Sequence, residues 1–520
     1  MHAPRLAALV VVALFVLTGC IVQERPVAYR TYPPAYAPPP PPPGAPPAAQ
    51  PDVSSDTSPG VPPVPGQEQP EVLTRGPVHE AFAQPVTVQT PSGLVVAGQP
   101  PATIVETPPS DRPAGGNCMW VPGYWSWDSE SSRFIWVSGC WRLTPTRMTW
   151  VPGYWARVSG GWQWISGFWA PAATQEIAYL PAPPAVTENP PTVMVADQIW
   201  IPGCWYWAQG RYVLRSGYWL QPRAGWVWAP SHYVWTPRGH VFVEGYWDFP
   251  LESRGVLFAP VCFAGRAGGG VAFAFSPSIT VNLGAVSASL FACPRYTHYY
   301  FGDYYDDAWV SIGIYPWFDC VRIGTWYDPL FVHARWDHGR RDPRWEERER
   351  HEYRQRHDDR DRRPPRTYRE QEERAARLPE PQRRERQVAQ PLRTAITAPA
   401  TSMKFERVDR DARQKVVKES ADAHTFRDAR GRWEAATPAP QAPAVQPPAA
   451  TRQPAGRKTT APKTSLPARD TPPTAIQPDR VRFRPTGAVE QPAAPRNGER
   501  STPDKPSDEH KRDRSSRDER

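Results

Sequence analysis

The chain has 520 residues, 40% of them hydrophobic and 12% aromatic, with 68 prolines and a formal net charge of +9. That many prolines exclude an all-helical architecture and leave about half of the chain able to build a core. The 61 basic and 52 acidic residues are interspersed and not gathered into one basic patch, which argues against a nucleic-acid partner.

Met1–Cys20 reads as a targeting segment. His2 and Arg5 precede an apolar run from Leu6 to Leu17 that is too short to span a bilayer comfortably. The run ends in Leu17-Thr18-Gly19-Cys20, which resembles the bacterial lipobox. In that class of signal the cysteine becomes the lipidated first residue of the mature protein, so the resemblance implies a signal peptide over 1–20 and a membrane anchor at Cys20. Ile21 supplies no acidic retention signal, which points to the outer membrane, facing the periplasm or the exterior. Residues 21–70 form a proline-rich tether, extended as polyproline around Pro38–Pro43. Residues 71–117 form a partly ordered lead-in with β-prone pieces at Pro85–Thr90 and Gly93–Gly98.

The stretch 118–330 holds a recurring aromatic phrase. It runs Trp120-Val-Pro-Gly123-Tyr-Trp125, Trp136-Val-Ser-Gly139-Cys-Trp141, Trp150-Val-Pro-Gly153-Tyr-Trp155 and Trp164-Ile-Ser-Gly167-Phe-Trp169. After a gap it resumes as Trp200-Ile-Pro-Gly203-Cys-Trp205, Leu214-Arg-Ser-Gly217-Tyr-Trp219 and Phe242-Val-Glu-Gly245-Tyr-Trp247, with a worn copy at Trp228–Tyr233 that puts Ser231 in the glycine slot. The steps between these slots are 16, 14, 14, 36, 14, 14 and 14 residues, and eighteen of the 24 tryptophans lie within 120–247. Trp, Tyr, Val and Ile favour strands, while Gly or Pro every few residues breaks helices. About 14 residues suffice for one strand and one turn. The expected fold is therefore mainly β, an antiparallel meander of short strands in blocks 118–170, 198–248 and 255–328. Stacked four-stranded sheets and a propeller-like closure are the two ways to arrange it.

These phrases resemble the bacterial YXWXGXW-repeat family, also written WXXGXW, of secreted or lipid-anchored envelope proteins of unknown function. Gly76-Pro-Val-His-Glu-Ala-Phe-Ala83 upstream and Phe301-Gly-Asp-Tyr-Tyr305 downstream extend the resemblance to about 71–350. Cys140 and Cys204 depart from the phrase where Tyr or another residue would sit. The resemblance implies an envelope location and carries over no catalytic residue and no cofactor.

Within block 255–328, Val256–Phe263, Val271–Phe275, Ile279–Leu283 and Ser289–Cys293 read as strands. Residues 331–380 carry 15 Arg against 13 Asp plus Glu, and pairs such as Glu346/Arg350 and Glu352/Arg356 predict a charged exposed helix that Pro364-Pro365 ends. Residues 381–520 read as a mostly disordered tail with one short helix at 404–433.

Six cysteines remain besides Cys20: Cys118, Cys140, Cys204, Cys262, Cys293 and Cys320. Cys140 and Cys204 share a repeat slot, so a disulfide between blocks is the candidate pairing, against isolated buried thiols. His333, His338, His351 and His357 sit among arginines as a solvated face, and Asp303, Asp306 and Asp307 lack an EF-hand order, so no metal is assigned. Glu244 and Asp248 alone do not make a glycosidase pair. The expectation is a non-catalytic, lipid-anchored envelope protein whose partners are the membrane, through Cys20, and cell-wall polysaccharide or envelope proteins. The competing expectation is a carbohydrate-binding module stacking sugars on exposed Trp and Tyr, with Ser138, Ser166 and Ser216 beside Tyr124, Tyr154 and Tyr218.

Overall fold

The computed structural model describes residues 70–435, except 89–92, 116, 187, 189–190, 192–194, 196, 264–273, 325, 381–382, 384–386 and 399–402, together with 479–482. Cys20, the tether up to residue 69, and the tail at 436–478 and 483–520 lie outside those residues.

The described chain is mostly strands in short antiparallel sheets. The repeat folds as four long hairpins, each made of two phrases. In hairpin 1, Cys118–Val121 pairs with Cys140–Leu143, and further out Tyr124–Asp128 pairs with Arg133–Val137. Hairpin 2 pairs Met148–Val151 with Phe168–Pro171, then Tyr154–Val158 with Gly161–Ile165. Hairpin 3 pairs Ile199–Ile201 with Tyr218–Leu220 and Cys204–Ala208 with Arg211–Arg215. Hairpin 4 pairs Val227–Ala229 with Tyr246–Asp248 and His232–Thr236 with Gly239–Val243. The pairing is thus nested, first strand with fourth and second with third, where a serial meander was expected. The reason is that each phrase straddles two strands: its third and fourth residues, Pro-Gly or Ser-Gly in hairpins 1–3 and Pro-Ser or Glu-Gly in hairpin 4, leave the ladder, and proline has no N–H to give it.

The spacing of the phrase sets the register. Its two tryptophans are five residues apart on both arms, so the first of one phrase falls opposite the last of the other. Trp120 faces Trp141, Trp125 faces Trp136, Trp150 faces Trp169, and Trp155 faces Trp164. Trp200 faces Trp219 and Trp228 faces Trp247 in the later hairpins. The facing rings meet edge to face or tilted, 5.0–5.6 Å apart, a geometry that adds to the burial of their surface. The step lengths follow from the tips. Hairpins 2, 3 and 4 turn in two residues, between Val158 and Gly161, Ala208 and Arg211, and Thr236 and Gly239. Hairpin 1 turns in four, between Asp128 and Arg133, which accounts for its step of 16 against 14. In hairpin 3 the turn residues Gln209 and Gly210 both have positive φ, 51° and 77°, the mirror-image turn that suits strand twist.

The hairpins gather around the segment 76–83. Gly76–Pro77 pairs with Tyr300–Phe301, and Ala81 and Phe82 are fully buried among Trp150, Trp169, Tyr299 and Phe331. Arg142, also fully buried, holds this centre together. Its guanidinium takes both oxygens of Asp248 at 2.6–2.7 Å, donates to the Ala81 carbonyl at 3.0 Å, and lies over the rings of Phe82 and Trp169. Arg254 adds a second contact to Asp248 at 3.1 Å and donates to the Phe82 carbonyl at 2.8 Å. Hairpins 1, 2 and 4 are therefore tied through one buried charge cluster, with the hydrogen bonds that such a cluster needs in a low dielectric.

The lead-in is woven into the fold. Val86–Thr87 pairs with Trp326–Tyr327, Val95–Val96 adds to hairpin 2, and Val105–Glu106 pairs in parallel with Ala274–Phe275. In the third block, strands form at Gly255–Leu257, Val261–Cys262, Ile279–Val281 and Leu290–Cys293. None of the sheets among the described residues closes on itself. The charged stretch contains helices Pro329–Gly339, Trp345–Asp358 and Tyr368–Ala375, with the Glu346–Arg350 and Glu352–Arg356 bridges at 2.9 and 3.0 Å. It is not merely a solvated helix, because Leu330, Phe331 and Trp345 enter the central core. The last long helix runs Arg410–Ala435 and packs on hairpin 2.

Candidate functional site

Where the two arms of a hairpin leave the ladder together, two glycine N–H groups are freed beside one another. A carboxylate fills each such window in the first two hairpins. In hairpin 1 the Glu106 carboxylate accepts the Gly123 N–H at 2.9 Å, the Gly139 N–H at 3.0 Å and the Trp136 indole N–H at 2.8 Å. In hairpin 2 Glu80 accepts the Gly153 and Gly167 N–H groups, each at 3.1 Å, and the Trp164 indole N–H at 3.1 Å. The two windows are built alike from unrelated parts of the chain, Glu80 coming from the central segment and Glu106 from the lead-in. In hairpin 3 the exposed Glu188 accepts the Gly217 N–H at 2.7 Å. Hairpin 4 has Ser231 in place of glycine, and the Ser231 hydroxyl itself accepts the Gly245 N–H at 3.0 Å. The worn copy therefore supplies from within what the others take from outside.

The same peptide units are also gripped by their carbonyls. Arg430, from the helix Arg410–Ala435, donates to the Pro152 carbonyl at 2.8 Å and lies 3.4 Å from that of Ser166. Peptides 152–153 and 166–167 are thus polarised between Glu80 on the N–H side and Arg430 on the C=O side. Arg430 is paired in turn with the fully buried Glu434 at 2.8 Å, and Glu434 accepts the hydroxyls of Tyr154 at 2.6 Å and Tyr179 at 2.9 Å. In hairpin 1 the Pro122 carbonyl lies 3.2 Å from His79 Nε2. His79 Nδ1 accepts the Ala81 N–H, so Nε2 carries the proton. Tyr124 joins the two windows, accepting the Glu80 backbone N–H at 3.0 Å and donating to His298 Nε2 at 2.7 Å.

The glycines are required by contact. A Cβ at Gly153 would lie 2.5 Å from Glu80 Oε1 and 2.6 Å from both the Ile165 carbonyl and the Trp164 ring. The ring in question belongs to the first tryptophan of the partner phrase, which lies over the glycine. Gly203 differs: its partner phrase begins with Leu214, and the atoms nearest it belong to the Glu188 carboxylate and the Arg215 carbonyl.

Burial pushes the carboxyls of Glu80 and Glu106 up from an ordinary 4.5 to about 7, the surrounding N–H donors pulling the other way. Burial likewise lowers His79 to about 3 and His298 to about 4, so both imidazoles are neutral at neutral pH.

Other residues singled out in the sequence are placed as follows. Cys140 and Cys204 are free thiols, as are the other four, which corrects the expected bridge. Their shared slot falls on different arms, Cys140 in the base ladder of hairpin 1 facing Val121 and Cys204 in the outer ladder of hairpin 3 facing Arg215, and does not bring them together. Tyr124 and Tyr154 are buried, Tyr218 is half-buried and Ser216 exposed, while Ser138 is spent on the Ala259 carbonyl and Ser166 on Thr297. Asp303 and Asp306 face Arg363, and Asp307 faces His357. Asp248 belongs to the Arg142 cluster and has no Glu244 contact among its partners. Glu80, Glu106, Arg430 and Glu434 were not singled out in the sequence. The available signal was an acidic residue alone in an apolar context, as in Val-His-Glu80-Ala-Phe and Ile-Val-Glu106-Thr.

The model of the WXXGXW repeat, in two copies, matches residues 119–142, 148–170, 196–219 and 223–247, and each match covers one hairpin. The chain matches no curated protein and no solved structure. Two copies to a match is what the nested pairing requires, since a single phrase supplies only one arm of a window. These four matches identify the repeat of residues 119–247 as the WXXGXW repeat.

Proposed function

We propose that the chain is a non-catalytic, lipid-anchored protein of the bacterial cell envelope, of structural or interaction type, held to the membrane through Cys20. The observation that supports it is how the chemistry of the repeat is used. The indole N–H groups of Trp136 and Trp164, the freed glycine amides and the carboxylates of Glu80 and Glu106 satisfy one another inside the fold. Most of the aromatic surface is likewise core, with Trp136 and Trp141 wholly buried. Such a domain presents a rigid scaffold, and the proline-rich tether sets its reach from the membrane surface. Fractionation of cells grown with labelled fatty acid tests the anchor. Wild-type protein takes up label and sediments with outer membrane, and Cys20→Ala protein carries no label and appears in the soluble fraction. Unlabelled wild-type protein, with membrane association unchanged in the mutant, overturns the proposal.

A further inference from the structure

Between hairpin 2 and the helix Arg410–Ala435 lies an open cleft of about 570 Å³. That volume falls within the roughly 300–1,000 Å³ of small-ligand sites. Trp155 lines it as a half-buried ring whose indole N–H is already given to the Trp125 carbonyl at 2.8 Å, so what it offers the cleft is apolar surface. Arg157 lies two residues further along the same strand and therefore on the same face. Arg427 and Arg432 reach the cleft from the helix opposite. Three arginines thus line it against one carboxylate, that of Asp428.

The arginines are short of counter-charge. The side chains of Arg157 and Arg432 make no ion pair or hydrogen bond among the described residues. Arg427 is the more telling. Its side chain is only 12% exposed, its one ion-pair contact is Asp428 at 3.7 Å, itself 62% exposed, and Glu80 acts on it only at longer range. Its remaining hydrogen bond is to the Thr103 hydroxyl. Burial holds this guanidinium below its ordinary range, as expected of a largely buried cation without a matched anion. Other buried guanidinium groups in this fold are matched closely, as Arg142 is by Asp248 and Arg430 by Glu434. The mismatch at Arg427 therefore marks a place where an anion from outside completes the set.

We propose that this cleft binds a carboxylated saccharide, a pyranose ring lying on Trp155 and ring carboxylates meeting Arg157, Arg427 and Arg432. Guanidinium recognises carboxylate bidentately, and arginines distributed over two facing elements suit carboxylates spaced along a chain better than one compact anion. The inference adds a ligand to the interaction role proposed above and rests on nothing in the anchoring argument.

Isothermal titration calorimetry on the full chain, purified in detergent, tests it with trigalacturonate as the probe. Trigalacturonate binds, neutral galactotriose binds at least about tenfold more weakly, and Arg157→Ser/Arg432→Ser weakens the acid by about tenfold or more. Both substituted residues are exposed, so the variant keeps the wild-type melting temperature, which is measured alongside. Polygalacturonate distinguishes the source: tighter binding per ring assigns the site to a polymer, equal binding per ring to the free oligosaccharide, and both uphold the proposal. Absence of heat with trigalacturonate up to about 10 mM overturns it. Equal affinity for the neutral sugar, an unchanged affinity in the double variant, or tighter binding of adenosine monophosphate also overturns it. The label experiment on Cys20 reads none of these, so either proposal can fail alone.

Discussion

Hairpins 2 and 3 carry the same phrase, the same two-residue tip and the same cross-strand tryptophan pair, with centroids 5.2 Å apart for Trp150–Trp169 and 5.4 Å for Trp200–Trp219. Their surroundings differ. Trp150 and Trp169 are buried, whereas Trp200 and Trp219 are half-buried. The window of hairpin 2 holds Glu80 inside the core with Arg430 behind it, and that of hairpin 3 holds the exposed Glu188 with Leu214 in place of an indole donor. The local phrase is therefore enough to shape a hairpin and open a window. How tightly the window is closed depends on segments far away in the chain, and stability should follow the closure more than the phrase.

The largest effect is expected from the carboxylates, with the closed window of hairpin 1, built like that of hairpin 2, set against the open window of hairpin 3. Glu106→Ala leaves two glycine amides and the Trp136 indole N–H buried without an acceptor, and each such group costs about 1–3 kcal/mol. A loss of about 3 kcal/mol or more is expected in chemical denaturation, with hairpin 1 losing protection in hydrogen exchange. Glu188→Ala, at a surface position where water replaces the carboxylate, leaves the denaturation curve unchanged. Equal losses from the two would show that the windows owe nothing to burial.

Next in size is the buried pair behind hairpin 2. Arg430→Met strands Glu434 beside Tyr154 and Tyr179, and breaking such a pair costs about 3–5 kcal/mol. Proteases should then cleave within Arg410–Ala435 before the repeat. Arg430→Met/Glu434→Leu should recover much of the loss, because the orphaned charge is gone. A double variant worse than the single one would show that the pair does more than neutralise itself.

Glycine substitution gives a smaller contrast. At Gly153 a valine meets the Ile165 carbonyl, the buried Trp164 ring and the Glu80 carboxylate in a closed core, for about 1–3 kcal/mol or more. At Gly217 the nearest obstacle is the Trp200 ring at 2.2 Å, which sits at a half-buried surface and can swing aside. Gly153→Val should lower the melting temperature at least about twice as far as Gly217→Val. The reverse order would mean that ring-to-glycine contact, and not closure of the window, sets the cost.

Much of this organisation is legible in the sequence. The equal five-residue spacing of the two tryptophans in each phrase already contains the cross-strand register, and the step of 16 contains the longer tip of hairpin 1. The glycine slots mark the windows. What fills them is not legible, because Glu80 stands 73 residues before Gly153 and one acid carries no period to betray it. Serial pairing looked natural for the same reason. It treats a phrase as one strand, and only the freed amides at Pro122-Gly123 and Ser138-Gly139 reveal that it is two halves. Arg430 and Glu434 lie in a stretch whose composition reads as solvated, and only the tyrosines and carbonyls of hairpin 2 give them a buried place.

The smallest expected effect is the dependence on pH, and it bears on how the windows work. The folded pKa of Glu106 is raised, to about 7 from 4.5. The folded state therefore binds the proton more tightly than the unfolded state, so this group's contribution is fully present below pH 4.5 and is lost as pH rises to about 7. His79 and His298 act in the opposite sense. Their folded values lie near 3 and 4 against an ordinary 6.5, so their contribution is present above pH 6.5 and is lost as pH falls toward those values. The two classes oppose each other between pH 4.5 and 6.5, and the melting temperature of the wild type should change little there. Glu106→Gln keeps an acceptor in the window and removes one titrating acid while leaving the histidines in place. Its melting temperature relative to wild type should therefore rise from pH 5 to about pH 7 and level off above it. If the glutamine variant instead falls further behind as pH increases, the three N–H donors outweigh burial, and the window of hairpin 1 holds an ionised carboxylate throughout.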